Sequence, residues 1–234
     1  MAIAEKWYPS DECSKEYKDS ELPAIPFLPQ KYIFKNGIAV VCRNAKKDDD
    51  EEIFAMFTEA AEKGMGYGAD EFLSLSTFRV LMLLEHHCVV FEEESTGSLI
   101  GSTFVGDSWY VRSKKGRLGE SSLVVSREFR GKGLGGEMTN IELGLLKDLG
   151  YRGTVNDSLA SNHRMGTILR KEHGGRMVTI GVIPNGTFTA QGIGWEDQLL
   201  YWNDFDVTKV RNFMELARES LGRQKTFTQQ PSKL

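Results

Sequence analysis

Apolar residues recur along this chain with changing periods, and each change of period predicts an element. Ile38 to Arg43 (IAVVCR) is a β-branched run, the pattern of a strand. Asp48 to Asp50 then supply negative charge for a helix start, and Ile53, Phe54, Phe57 and Ala61 follow at helical spacing. Gly64 to Gly68 (GMGYG) interrupts that helix, and Phe72, Leu75, Phe78 and Met82 mark a second one. Cys88 to Phe91 and Leu99 to Val105 flank a Thr96-Gly97 turn, which predicts an antiparallel hairpin whose second arm continues at Trp109 to Arg112. Arg117 to Ser126 (RLGESSLVVS) reads as the next strand, again antiparallel. Leu134, Met138, Ile141, Leu145 and Leu149 form one helical stripe that Gly150 stops. Tyr151 to Val155 is a short strand, and Asn156 to Ser158 cap a helix whose Met165, Ile168 and Leu169 face inward. Arg176 to Val182 and Trp195 to Trp202 are the last two strands, and Val207 to Leu221 predicts a closing helix.

This order implies an α+β fold of three layers: a mixed, mostly antiparallel sheet flanked by helices. Residues 1–37 carry prolines at 9, 23, 26 and 29 with little periodicity and read as an N-terminal extension. The domain proper spans 38–206, and 207–234 form a C-terminal helix and polar tail.

Bulk properties narrow the function by exclusion. A net charge of -4 gives no global attraction to nucleic acid or membrane surfaces. The longest apolar stretch, Val80 to Leu84, is too short to span a bilayer. The first residues carry charge and no apolar run, unlike a signal peptide. Cys13, Cys42 and Cys88 lack metal-ligand spacing and read as free thiols of a reducing compartment. A cytoplasmic protein without a metal is the expectation, and a homodimer stays open.

The chemistry concentrates in Arg130-Gly131-Lys132-Gly133-Leu134-Gly135-Gly136, between a strand and a helix start. Glycines there allow a tight turn that points amide N–H groups toward one place, and the first helical amides lack internal partners. Arg130 and Lys132 add positive charge, so the loop fits a di- or polyphosphate. The P-loop pattern GxxxxGK followed by Ser or Thr is missing. Gly131, Gly133 and Gly136 match GxGxxG, with Asp157 near the acidic position of a dinucleotide fold, but the antiparallel hairpin upstream disagrees with such a sheet.

Leu123 to Gly135 (LVVSREFRGKGLG) resembles the CoA-binding motif of the GNAT superfamily of N-acetyltransferases. In that motif a strand with bulky apolar residues precedes Arg or Gln, two residues, Gly, one residue, then Gly or Ala; Arg130, Gly133 and Gly135 match it. With the order of elements, the resemblance covers about Ile38 to Asn203. It implies an acetyl-CoA-dependent N-acetyltransferase acting on a primary amine of a small molecule or peptide. A CoA-binding module without turnover is the alternative, and a nucleotide-dependent oxidoreductase a third. The resemblance further implies that the amides of Arg130 to Gly135 cradle the CoA pyrophosphate and that Leu123, Val124 and Val125 pair with the pantetheine arm as an added strand would. Asn162 matches a family Asn that hydrogen-bonds the same arm, though a polar helix-start residue explains it equally.

Acyl transfer to an amine needs a base for the ammonium proton and a donor for the leaving thiolate. Glu120, just ahead of the pantetheine segment, is the candidate base, against a solvated strand residue. The family's usual donor is a Tyr where this chain has Leu169, and no Tyr lies between Ala160 and Gly175. Tyr201, Tyr110 and His163 are the replacements considered, with Tyr201 first. Met65, Tyr67 and Phe72 lie where the fold builds its acceptor pocket. His86-His87 reads as a helix end and Glu92-Glu93-Glu94 as a solvated strand end, with a carboxylate cluster drawing a cationic amine as the sharper alternative.

Overall fold

The computed structural model describes residues 22–69, 71–72, 74–110, 118–171, 177–189 and 194–205. These form one sheet of eight strands: β1 (Gln30–Ile33), β2 (Ala39–Asn44), β3 (His87–Glu93), β4 (Leu99–Asp107), β5 (Leu118–Val125), β6 (Gly153–Leu159), β7 (Val178–Thr189) and β8 (Gly194–Asp204). Their spatial order is β1-β2-β3-β4-β5-β6-β8-β7. Every pairing is antiparallel except β5 with β6. That one parallel junction follows from its connection, since β5 and β6 are joined by the glycine loop and a helix rather than a tight turn.

Helices cover both faces. On one side lie α1 (Asp50–Glu62) and α2 (Leu75–Phe78), the latter running on as a π-helical stretch, Arg79–Leu84. Helix α1 buries Ile53, Met56, Phe57, Ala60 and Ala61, an i, i+3, i+4, i+7, i+8 face. Phe57 is the hub of this layer, its ring 5.0 Å from Tyr67, 5.1 Å from Phe104 and 5.6 Å from Phe72 and Phe78. The Asp50–Arg79 ion pair, 3.0 Å, ties α1 to the π-helical stretch. The other face packs α3 (Leu134–Asp148) through Leu134, Met138, Leu145 and Leu146, and α4 (His163–Lys171) through Leu169.

Several elements depart from the pattern-based expectation. The sheet begins with β1, inside the stretch taken as an extension; Ile25 and Phe34 beside it are fully buried, and Asn44 holds the Ile25 backbone by two hydrogen bonds. Asn156 to Ser158 do not cap a helix. They continue β6, whose whole length pairs with β8 from Gly153↔Asp204 to Leu159↔Gln198, and α4 starts only at His163. Trp109 and Tyr110 form a turn after β4 instead of extending it. The last hairpin is longer than expected, β7 reaching Thr189. Residues 1–21, Arg112, Arg117, Arg176 and the expected C-terminal helix and tail lie outside the described residues.

Candidate active site

The parallel junction makes the site. β5 and β6 pair only at Leu118↔Gly153 and Gly119↔Thr154, after which β5 has no strand neighbour on that side. Asn156 bridges the opening, its Nδ2 donating to the carbonyl and to Oγ of Ser121, both at 2.9 Å. Further along this edge Tyr67 donates its hydroxyl to the Leu123 carbonyl at 2.8 Å, and Arg130 donates Nε to the Val125 carbonyl at 2.8 Å. Three successive cleft-side carbonyls are thus held by side chains from three other elements. The N–H groups of Leu123 and Val125 share that edge, because a strand turns both groups of one residue the same way.

On one side of Tyr67 the cleft runs along the glycine loop, enclosing about 1190 Å³ between β5, the start of α3, the start of α4 and the end of α1. Gly131 and Gly133 both have φ +78, and a Cβ at either would have open space around it. Backbone conformation, not crowding, is what requires glycine there. No N–H from Gly131 to Gly136 enters a backbone bond outside the helix, and the first helical amides have no partner within it. The cations differ from those read in the sequence. Arg130 is taken up by Glu59, the Val125 carbonyl and Met65 Sδ, while Lys132 stands over the Phe129 ring at 4.6 Å and does not line the cavity. Lys63, Arg127 and Arg164 line it as well as Arg130. Asn162 accepts at Oδ1 from the Met165 N–H at 3.1 Å, which caps α4; its Nδ2 faces Gly66, where a Cβ would come within 2.7 Å. Both readings of Asn162 therefore have an atom available.

On the other side of Tyr67 lies a second cavity of about 450 Å³. Met65, Tyr67, Leu123, Asn162 and Met165 border both cavities, so the two adjoin. Its wall holds Glu120, Glu142 and Asp157. Burial pushes the Glu120 carboxyl up to about 7, against the N–H of Trp109, which donates to Oε2 at 3.1 Å, while the Asp157 charge raises it further. Glu142 is 4 % exposed, and burial pushes it to about 7 despite donors in Thr103 Oγ1 (2.7 Å) and Ser121 Oγ (3.2 Å). Burial also raises Asp157, which accepts from Gln198. A site that holds carboxyls near neutrality can exchange protons with an amine at physiological pH.

The expected catalytic groups separate here. Glu120 lines this cavity and so does Tyr110. Tyr201 does not: it lies on β8 in the hydrophobic core at 1 % exposure and borders neither cavity. Strand alternation put it inward, which its spacing alone did not reveal. His163 sits at the exposed start of α4, on the glycine-loop side. His86 does follow the end of the π-helical stretch, as its reading as a helix end expected, but it is buried, lines the acidic cavity, and burial lowers its pKa. Phe72 packs in the core behind the wall, whereas Met65 and Tyr67 line it. The run at 92–94 is held by Arg43, Thr96 and Lys31 and borders neither cavity. The sequence marked neither Glu142 nor Asn156 as a site residue, and Asp157 only as the acidic position of a dinucleotide fold. Glu142 carried a signal, since it falls four residues after Met138 on the apolar face of α3.

The buried Glu142 makes a stability prediction. Its folded pKa is raised, so the stabilisation is complete below the ordinary value of 4.5 and declines as pH climbs toward about 7. A shift of this size corresponds to a loss of about 3 kcal/mol. Glu142→Gln is expected to remove that slope: urea denaturation at pH 5 and pH 8 will show a smaller decline than in the parent chain. Equal declines would exclude Glu142 as the source.

No protein-family model matches this sequence, and no curated protein matches it. Solved structures do match in shape. A GCN5-related N-acetyltransferase from Kribbella flavida aligns at TM-score 0.60 and 19 % identity, over 71 % of this chain and 98 % of that one. An N-acetyltransferase from Staphylococcus aureus aligns at TM-score 0.57 and 23 % identity, over 70 % and 98 %. A GNAT superfamily phosphinothricin acetyltransferase from Sinorhizobium meliloti, solved with AcCoA, aligns at TM-score 0.59 and 19 % identity, over 74 % and 93 %. The chain has the fold of the GNAT superfamily of N-acetyltransferases.

Proposed function

We propose that the protein is an acetyl-CoA-dependent N-acetyltransferase whose acceptor is a primary amine of a small molecule or peptide. One observation carries this reading: a glycine-loop cavity and an acidic cavity meet at Tyr67, Leu123 and Asn162, in the gap where β5 parts from β6. Acetyl-CoA would supply an acyl group activated as a thioester. The residues present fit it. The amides from Gly131 to Gly136 make no backbone bond outside the helix, the arrangement that takes phosphate oxygens, and Lys63, Arg127 and Arg164 line the same cavity. The cleft-side N–H groups of Leu123 and Val125 serve amide carbonyls of an extended arm.

Glu120 is the base that takes a proton from the acceptor's ammonium, a task suited to a carboxyl poised near 7. Tyr67 replaces Tyr201 as the proton donor to the leaving sulfur, since its hydroxyl lies where the cavities join and burial keeps it protonated. Tyr110, which lines the acceptor cavity alone, is the second choice. Leu169 in place of the family's Tyr supports a CoA-binding module without turnover, and the carboxyls near 7 support turnover. Buried free thiols at Cys42 and Cys88 suit a cytoplasmic location, and no helix among the described residues is long and apolar enough to cross a membrane. Calorimetric titration with acetyl-CoA, followed by thiol release with a panel of amines, tests the proposal: heat of binding and amine-dependent release are expected, and no binding at millimolar acetyl-CoA would sink it.

A further inference from the structure

Large exposed apolar side chains on this protein are concentrated around one cavity. Seven occur among the described residues, and five of them (Met65, Trp109, Tyr110, Phe188 and Trp195) line the acidic cavity; Ile33 and Val182 lie elsewhere. Trp195 is 61 % exposed and Trp109 67 % exposed. Single exposed apolar side chains need no explanation, but several gathered at one cavity mark a binding surface.

The rim is built from two walls. On one, Phe188 and Trp195 are directly opposed across β7 and β8, their rings 5.6 Å apart. On the other, Trp109 packs its ring 5.7 Å from His86. The first wall is fixed to the helical side of the cavity, because the Phe188 carbonyl accepts from the N–H of Ala69 at 2.8 Å. Behind the rim lie Glu120 and Asp157. Among the described lining residues there is no Lys or Arg, and burial holds His86 toward its neutral form.

From this juxtaposition of an aromatic rim and a carboxylate floor we propose that the acceptor is a small cationic amine on an aromatic body, an arylalkylamine, without a carboxylate or other anionic group. The inference rests on the amine-acetyltransferase reading above and names the substrate class of the same site. The ammonium goes to Glu120 and Asp157, where an opposite charge is favoured. The ring goes between the walls, where stacking adds to area burial. An anionic substituent next to the amine would meet the same two carboxyls with no Lys or Arg among the described lining residues to offset it. A volume of about 450 Å³ falls in the range that encloses a whole small molecule, which favours that over a peptide end.

The test uses the full chain and three acceptors: tryptamine, tryptophan, which adds a carboxylate to the same skeleton, and n-butylamine, which lacks the ring. With acetyl-CoA, kcat/KM for tryptamine is expected to exceed that for tryptophan by roughly 100-fold. Trp195→Ala, at a position 61 % exposed and with thermal melts to check folding, is expected to lower kcat/KM for tryptamine by roughly 10-fold and to change that for n-butylamine far less. Calorimetry of tryptamine against the chain alone, with Trp195→Ala as its control, gives a readout independent of turnover. If acetyl-CoA fails to bind while tryptamine binds and Trp195→Ala weakens it, the acetyltransferase reading falls and the ligand class stands. If acetyl-CoA binds and tryptophan serves as well as tryptamine, or Trp195→Ala changes neither measurement, the ligand class is overturned. Absence of both tryptamine binding and tryptamine turnover overturns it too.

Discussion

Gly133→Asp is expected to lower the affinity for acetyl-CoA by at least ~100-fold while the chain stays folded, because charge rather than shape is altered. Gly133 caps α3 with φ +78, and a Cβ at this position meets nothing within 4 Å. The left-handed conformation costs a non-glycine residue roughly 1–2 kcal/mol, and Asp is among those that tolerate it best. A negative charge at a helix start is favourable to the helix itself. The substitution therefore spares the fold and opposes only an anion at the same amides. Gly133→Ala is the control, carrying the backbone strain without the charge, and is expected to weaken binding far less. Isothermal titration of both variants, with thermal melts to check folding, decides the matter. Equal affinities for the Asp variant and the parent would remove the pyrophosphate from this loop.

The loop could be read from sequence because its chemistry is local: positive φ and adjacent amides belong to seven consecutive residues. The hairpin between β3 and β4 was legible for the same reason, a turn dipeptide between two apolar runs. What failed depended on distant partners. Asn156-Asp157-Ser158 has the composition of a helix cap, yet pairing with Tyr201, Leu200 and Leu199 of β8 draws it into a strand, and tertiary pairing overrides the local preference. Correcting that one boundary moves Asn156 and Asp157 into the gap beside β5, where they line the acidic cavity. Tyr201 moves the other way. Its strand was identified correctly, but which face is buried depends on the sheet's surroundings, and a slip of one residue reverses it. Arg130 was legible as a motif residue but not as a tie between α1 and β5, since Glu59 lies seventy-one positions upstream (130 minus 59) and no periodicity links the two.

Glu120→Gln carries the second large effect. A base must be deprotonated to act, so kcat/KM in the parent chain is expected to fall as pH drops through about 7, the value to which burial pushes this carboxyl. The Gln variant cannot titrate; its kcat/KM at pH 7.5 is expected to fall by roughly 10²–10⁴-fold, with the limb near 7 abolished and acetyl-CoA affinity retained. Asp157 gives an internal check. Its charge raises Glu120, so Asp157→Asn should move the limb to lower pH without removing it. Because the acceptor's own ionisation also depresses the rate at low pH, the profiles should be compared with one amine, so that its contribution is common to all three chains. Glu142 is pushed to the same range but is bound by Thr103 and Ser121 rather than turned to Trp109 and the aromatic rim. A limb that persists in Glu120→Gln and vanishes in Glu142→Gln would transfer the role of base from the strand to the helix beneath it.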